Sequence, residues 1–312
     1  VRVVTEDKDQ EGAAASILDP RNLLPFIIVC LIWGSTWLVI RDQVSAVPAS
    51  WSVAYRFAIA ALAMFLLARA RRVTLWIGWP GIVFAAILGL MQFVLNFNLV
   101  YRAEMFLTSG LVAVLYALLL VPNSLLGWLF HGQRVNRTFM AGSAVAICGL
   151  ALLFLHEYRV SVIDPVQVVI GIAFGVGGTL SASVANVMQG SRIAHRLPML
   201  SMLAWAMLIG SLLDAGFAWI AYGAPTVDPR AGYAAGILYL AIAGSVVTFP
   251  LYYSLIQRIG AARAAYTSVL IPIIAMLLST LFEGYRWSLL AAVGAALSLV
   301  GMVIAMRAKQ GS

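Results

Sequence analysis

Residues 73–101 read VTLWIGWPGIVFAAILGLMQFVLNFNLVY, twenty-nine residues with no Asp, Glu, Lys or Arg among them. Arg71 and Arg72 close the stretch on one side and Arg102 on the other. As a helix it exceeds the ~20 residues that cross the roughly 30 Å hydrocarbon core of a bilayer. The pattern repeats outward in both directions. Charge-free runs occupy 22–40, 105–133, 138–156, 165–191, 231–257, 264–282 and 287–306. Runs 43–68 and 197–227 join them except for one interrupting charge each, Arg56 and Asp214. These ten runs predict an all-α integral membrane protein of ten transmembrane helices, joined by short connections, with no soluble domain.

Composition points the same way. Charged residues make up 10% of the 312 and hydrophobic residues 62%, against about 25% charged in a soluble domain. Too few charges remain to cover a water-exposed surface, so lipid is the expected solvent. The net charge of +8 gathers at run ends, where orientation signals belong, and is not a nucleic-acid footprint. Cys30 and Cys148 lie inside apolar runs and read as small core residues, not as a disulfide or metal site. The first 22 residues carry mixed charge and read as a disordered tail without a signal peptide.

Orientation follows from Lys and Arg. Fourteen fall on one side: Arg2, Lys8, Arg21, Arg69, Arg71, Arg72, Arg134, Arg137, Arg192, Arg196, Arg258, Arg263, Arg307 and Lys309. Five fall on the other: Arg41, Arg102, Arg159, Arg230 and Arg286. Positive charge stays on the cytoplasmic side, so both termini are expected in the cytoplasm.

Landmarks recur along the chain. Pro48 and Pro198, Gly110 and Gly260, Tyr116 and Tyr266, and Pro122 and Pro272 stand 150 residues apart. At a spacing of 152, Leu129-Phe130-His131-Gly132-Gln133-Arg134 matches Leu281-Phe282-Glu283-Gly284-Tyr285-Arg286, and Gly142 and Gly149 match Gly294 and Gly301. Five helices per repeat place the halves upside down relative to each other. The expected organisation is a tail over 1–22, one five-helix repeat over 23–156, a second over 165–306, and a tail over 307–312. Inverted repeats let two halves exchange conformations around one central site, a transporter device.

The chain resembles the drug/metabolite transporter superfamily in its ten-helix EamA-like branch. The resemblance rests on Ile32-Trp33-Gly34-Ser35-Thr36, on Tyr55-Arg56-Phe57, and on the proline-containing fourth and ninth runs with their Leu-Phe-x-Gly-x-Arg ends. It covers roughly residues 23–306. One departure is that Gln133 and Tyr285 stand where such repeats carry Glu. The resemblance implies export of amino acids or other metabolites across a bacterial inner membrane.

Other classes find less support. His131, His156 and His195 sit at run ends without metal-ligand spacing, and no Gly-x-Ser-x-Gly elbow or phosphate loop occurs, so neither an enzyme nor a metal or cofactor site is expected. Both lysines lie in the tails, which excludes a retinal-type photoreceptor. A channel or receptor is the competing class.

Charge within a span is costly, roughly 2.5–3.5 kcal/mol or more at mid-membrane, and so faces the protein interior. Arg56 lies eight residues past Pro48, about 12 Å deep, and Asp214 lies at a similar depth. Three readings stand: separate bonds to neutral groups, an Arg56–Asp214 pair joining the halves, and proton coupling through Asp214. Gly171, Gly175, Gly177 and Gly178, with the Gly142/Gly149 and Gly294/Gly301 pairs, allow close helix approach, within one chain or across a dimer seam. Monomer and homodimer both fit. Pro122 and Pro272 each free a carbonyl one turn back and bend the helix, and are candidate hinges.

Placing each helix centre at mid-membrane brings Trp33, Gln92, Tyr116 and Ser245 to the midplane, Trp37 and Asn96 a turn toward the periplasm, and Thr248 and Asn186 toward the cytoplasm. Trp33/Trp37 and Gln92/Asn96 are i, i+4 pairs sharing one face. These eight residues are the candidate substrate site. Aromatic walls with amide and hydroxyl groups suit a neutral or zwitterionic small molecule with an apolar side chain, an aromatic or other hydrophobic amino acid. A phosphorylated sugar would want Lys or Arg at the midplane, and an anion is the alternative solute that Arg56 would serve. Facilitated diffusion and proton-coupled export both remain open.

Overall fold

The computed structural model describes residues 19–45, 47–131, 137–160, 164–259 and 267–307. Tail residues 1–18 and 308–312, and Gly132, Gln133, Arg134, Gly260, Arg263 and Tyr266 of the landmarks above, lie outside the described residues. The described chain is helical and contains no strand. Its helices are α1 (Pro20–Val44), α2 (Ala49–Ala70), α3 (Gly78–Leu88), α4 (Phe97–Glu104), α5 (Ser109–Ala117), α6 (Leu120–His131), α7 (Arg137–Val160), α8 (Pro165–Gln189), a short α9 (Arg192–Arg196), α10 (Met199–Tyr222), α11 (Ala231–Ala241), α12 (Thr248–Ile259), α13 (Thr267–Phe282) and α14 (Leu289–Arg307). Two π-helical segments, Gly89–Asn96 and Ile242–Val247, splice α3 to α4 and α11 to α12.

Among the described residues, eight helical stretches are long and apolar enough to cross a bilayer, and Thr267–Phe282 and Leu289–Ala305 are shorter apolar helices. The difference from ten full-length runs lies at the C-terminal end. The run from 264 begins in residues outside the description, which leaves α13 at 16 residues. Leu62, Leu66, Ile220, Leu281, Phe282 and Leu289 are exposed side chains. A water-soluble protein would not spread so many large apolar groups over its surface, and lipid accommodates them.

Helix starts show why the segments begin where they do. Asp19 and Asp164 each accept a hydrogen bond at 2.9 Å from the amide two residues on, with proline at the first helical position. Both are the Asp-Pro start that satisfies an orphan donor and presets φ, and each opens the first helix of one half. Pro48 and Pro198 are the N-cap residues of α2 and α10. Between α10 and α11, Arg230 donates to Asp228 from its backbone at 2.9 Å and its side chain at 2.6 Å, holding that carboxylate below its usual range. Arg230 also reaches Asp42 at 3.2 Å, tying this loop to the end of α1.

Packing crosses between the halves. α2 lies along α10, α7 along α14, α1 against α12 and α13, and α8 against α4 and α6. The main core joins Phe57, Met64, Leu88, Phe93, Leu203 and Met207. The α7–α14 seam needs its glycines. A Cβ on Gly294 would stand 2.8 Å from the Gly149 carbonyl oxygen, and one on Gly301 2.6 Å from that of Gly142. Gly171, Gly175 and Gly178 face Leu107, Leu115 and Tyr116 of the same chain. These small-residue positions are therefore occupied by intramolecular packing. Cys30 is buried and free as expected. Cys148 is free but exposed on α7, so it belongs to the lipid-facing side and not to the core. His156 accepts a buried structural role, its ring nitrogens 3.1 Å from the Arg286 carbonyl and 2.9 Å from the Ser288 hydroxyl, and His195 contacts its own helix at the Ser191 carbonyl.

Candidate functional site

A cavity of about 160 Å³ lies between the halves. α1 contributes Trp33, Thr36 and Trp37; the first π segment gives Gln92 and Asn96; α5 gives Tyr116; α8 gives Asn186; and α12 and α13 close it with Phe249, Tyr252, Tyr253 and Pro272. Six of the eight expected site residues therefore meet there. Ser245 and Thr248 do not line it. Ser245 is wholly buried, donates to the Leu240 carbonyl at 2.9 Å, and lies 3.4 and 3.3 Å from Nε and Nη2 of Arg56. Thr248 is buried with its hydroxyl unpartnered among the described residues. The face of the helix on which they stand puts both behind the wall.

The walls are held by specific contacts. The Tyr116 hydroxyl donates to Asn96 Oδ1 at 2.6 Å, and Asn96 Nδ2 donates back to the Gln92 carbonyl at 3.2 Å. Trp37 packs on Tyr116 with centroids 5.2 Å apart, and Trp33 meets Phe249 and Tyr252 at 5.6 and 5.1 Å. The Tyr116 hydroxyl fits only because residue 178 has no Cβ, which would collide with it. Gly178→Ala is accordingly expected to dislodge Tyr116 from Asn96 and raise KM severalfold without unfolding the chain. Tyr116→Phe should reproduce that change, and additive effects in the double variant would show that the two do not act through one contact.

The π segments shape the site. Each widens the helix by one residue and frees carbonyls from the regular ladder, a feature frequent at functional sites. In the first, the Met91 carbonyl accepts from Ser181 of α8 at 2.7 Å. In the second, the Gly244 carbonyl accepts from the Trp33 indole of α1 at 3.3 Å. The relation is reciprocal: the first helix of each half supplies a donor to the π segment of the other. Such backbone is tolerated at membrane depth only where it is buried in protein or lines a cavity.

The two intramembrane charges are both buried and do not pair. Arg56 lines the cavity and rests on the Phe97 and Phe57 rings, 4.4 and 5.1 Å from their centroids. Asp214 lies outside the lining, where its Oδ1 accepts from Asn98 at 2.6 Å and its Oδ2 has no partner among the described residues. Asn98 in turn accepts from Ser50 at 2.5 Å. Of the three readings, separate bonds to neutral groups describe the geometry, because the two side chains point to different neighbours.

The candidate hinges differ. Ahead of Pro122 the helix is interrupted at Leu118 and Leu119, whose amides bond three residues back, to Leu115 and Tyr116. α13 runs unbroken through Pro272. Both places border the cavity, through Leu119 and Pro272.

Sequence reasoning missed a second buried cluster. Ser109 stands between the halves, its hydroxyl 3.0 Å from Glu104 and 2.6 Å from Glu283, and Glu283 also accepts from its amide at 3.1 Å. Both acids end apolar runs, where a charge reads as a boundary. Among the described residues no group of three His, Cys, Asp or Glu could hold a metal ion.

The profile of the EamA-like transporter family matches residues 22–155 and again 169–307. Protein PagO of Salmonella typhimurium is 26% identical over 267 residues, 84% of this chain and 85% of that protein. A probable amino-acid metabolite efflux pump of Escherichia coli is 23% identical over 292 residues, 89% and 92% of the two chains. An uncharacterized inner membrane transporter of the same species, YedA, is 26% identical over 267 residues, 83% of each chain. A solved crystal structure superposes with a TM-score of 0.67 at 21% identity, covering 90% of this chain and 95% of that one; this likeness concerns the fold alone.

Proposed function

Because this chain belongs to the EamA-like transporter family, whose members are transporters and not enzymes, we propose that it exports small metabolites across a bacterial inner membrane, amino acids with hydrophobic or aromatic side chains foremost. The observation that carries this reading is the cavity itself, aromatic-walled, with the Gln92, Asn96 and Asn186 amides and the Tyr116 hydroxyl, at the meeting of both halves. Its volume of about 160 Å³ is below the roughly 300 Å³ at which pockets for drug-sized ligands begin, which favours a small solute. The printed names of the relatives, an efflux pump and an inner membrane transporter, accord with export and with that membrane.

The mechanism is alternating access by two inverted five-helix repeats with ten crossings and both termini in the cytoplasm. Support comes from the Asp-Pro starts, from the two π segments at corresponding places and from the reciprocal bonds of Trp33 and Ser181 to them. The break before Pro122 and the bend site at Pro272 are the hinges. Pro122→Ala is expected to slow transport more than Pro272→Ala, because only the first sits beside an interrupted helix.

The test is a substrate screen in proteoliposomes, with and without a pH gradient. Saturable flux of phenylalanine, tryptophan or leucine is expected. Flux of an organic phosphate with none for amino acids would overturn the substrate assignment, and ohmic conductance would identify a channel. A flux that responds to the pH gradient and loses that response in Asp214→Asn would place proton coupling at that acid.

A further inference from the structure

Arg56 is 2% exposed, and every group it touches is neutral: the Ser245 hydroxyl, the Phe57 and Phe97 rings, and the buried Tyr101 phenol beside it. Among the described residues its Nη1 has no hydrogen-bond partner, and no carboxylate lies within 4.0 Å of it. A buried charge without a counter-ion is strongly unfavourable. Its bonds to Ser245 are long, 3.3 and 3.4 Å, and share one hydroxyl that already donates to Leu240, and its further hydrogen-bond partner, the Tyr101 phenol, is neutral. Among the described residues, the cavity lining contains this one cation and no Asp or Glu.

Resting on the reading that this cavity holds the exported solute, we infer that Arg56 recognises a carboxylate on that solute, so that the substrates are apolar or aromatic carboxylates whose amino group is dispensable. The planar guanidinium matches a carboxylate with two parallel bonds. An ammonium in the same cavity would find only amide and hydroxyl acceptors. Nη1 is covered in the present arrangement, so the carboxylate draws the guanidinium off the Phe97 ring as it engages. Arg56 belongs to the first half, while Ser245 lies in the π segment of the second. Engaging the carboxylate therefore releases a tether between the halves, which links binding to their relative movement.

The experiment compares phenylalanine, 3-phenylpropionate, phenylalanine amide and phenethylamine as competitors of radiolabelled phenylalanine counterflow, and as ligands of purified protein by calorimetry. The two carboxylates are expected to bind within about tenfold of each other, and the two compounds lacking one about a hundredfold more weakly or worse, as for loss of one partner of a buried charge pair. Arg56→Met should abolish this discrimination, and Arg56→Lys should keep it with weaker binding. Calorimetry reads the variants even where counterflow stops, and a thermal melt checks that Arg56→Met is folded. If folded Arg56→Met still prefers the acid to the amide, or if 3-phenylpropionate fails to bind while phenylalanine binds, the inference is wrong. If none of the four compounds binds the wild-type protein, the substrate reading beneath it falls as well.

Discussion

Gly149→Ala is expected to destabilise the protein, whereas the same substitution at Gly216 is expected to stabilise it. In an open helical position alanine is favoured over glycine by about 1 kcal/mol, and nothing lies within 4 Å of a Cβ on Gly216. At Gly149 a Cβ meets the Gly294 carbonyl oxygen at 2.6 Å and the backbone amide of Ser298. Backbone cannot rotate aside as a side chain can, so α7 and α14 must separate. Overpacking of this kind costs about 1–3 kcal/mol or more. Gly149→Leu should reduce folded protein to a small fraction of wild type. Thermal melts of the purified variants check the pair of signs. Equal shifts at the two glycines would mean that α7 and α14 are not in this contact.

Trp33→Ala is expected to reduce transport about a hundredfold, the scale of effect seen when positioning is lost by about an ångström. The indole does two separable things. Its ring forms cavity wall against Phe249 and Tyr252, and its N–H bonds the Gly244 carbonyl of the second π segment. Trp33→Phe keeps a ring and removes the donor, a loss of about 1 kcal/mol, and should lower transport about five- to tenfold. Initial rates of counterflow, normalised to folded protein, separate the two. Equal loss in both variants would make the hydrogen bond, and not the wall, the essential element.

Lipid solvation is written in composition, which is why the apolar runs are legible residue by residue. Pro48 and Pro198 mark the starts of α2 and α10 because proline suits the first positions of a helix and not its interior. The i, i+4 spacing of Trp33 with Trp37 and of Gln92 with Asn96 put each pair on one face, and all four line the cavity. Rotation of a helix about its axis is not legible in the same way. Ser245 faces Arg56 from behind the wall, and Arg56 and Asp214 turn to different neighbours without meeting. Phe97, Phe249 and Tyr252 were missed because an aromatic residue toward lipid and one toward a cavity look alike in sequence. The π segments change hydrogen bonding by one residue without changing composition, so nothing in Gly89–Asn96 or Ile242–Val247 announces them. Glu104 and Glu283 look like the ends of spans, although Ser109 joins them across the halves.

Alternating access requires one cavity reached from one side of the membrane at a time. Ala117 lines that cavity, and a cysteine there, in a chain carrying Cys30→Ala and Cys148→Ser, can be probed by a membrane-impermeant maleimide added to either face of oriented proteoliposomes. The account predicts labelling from both faces, with an imposed substrate gradient raising the rate on one face as it lowers the rate on the other, and no ion conductance under any condition. Labelling from a single face regardless of substrate, or labelling from both accompanied by conductance, would contradict it.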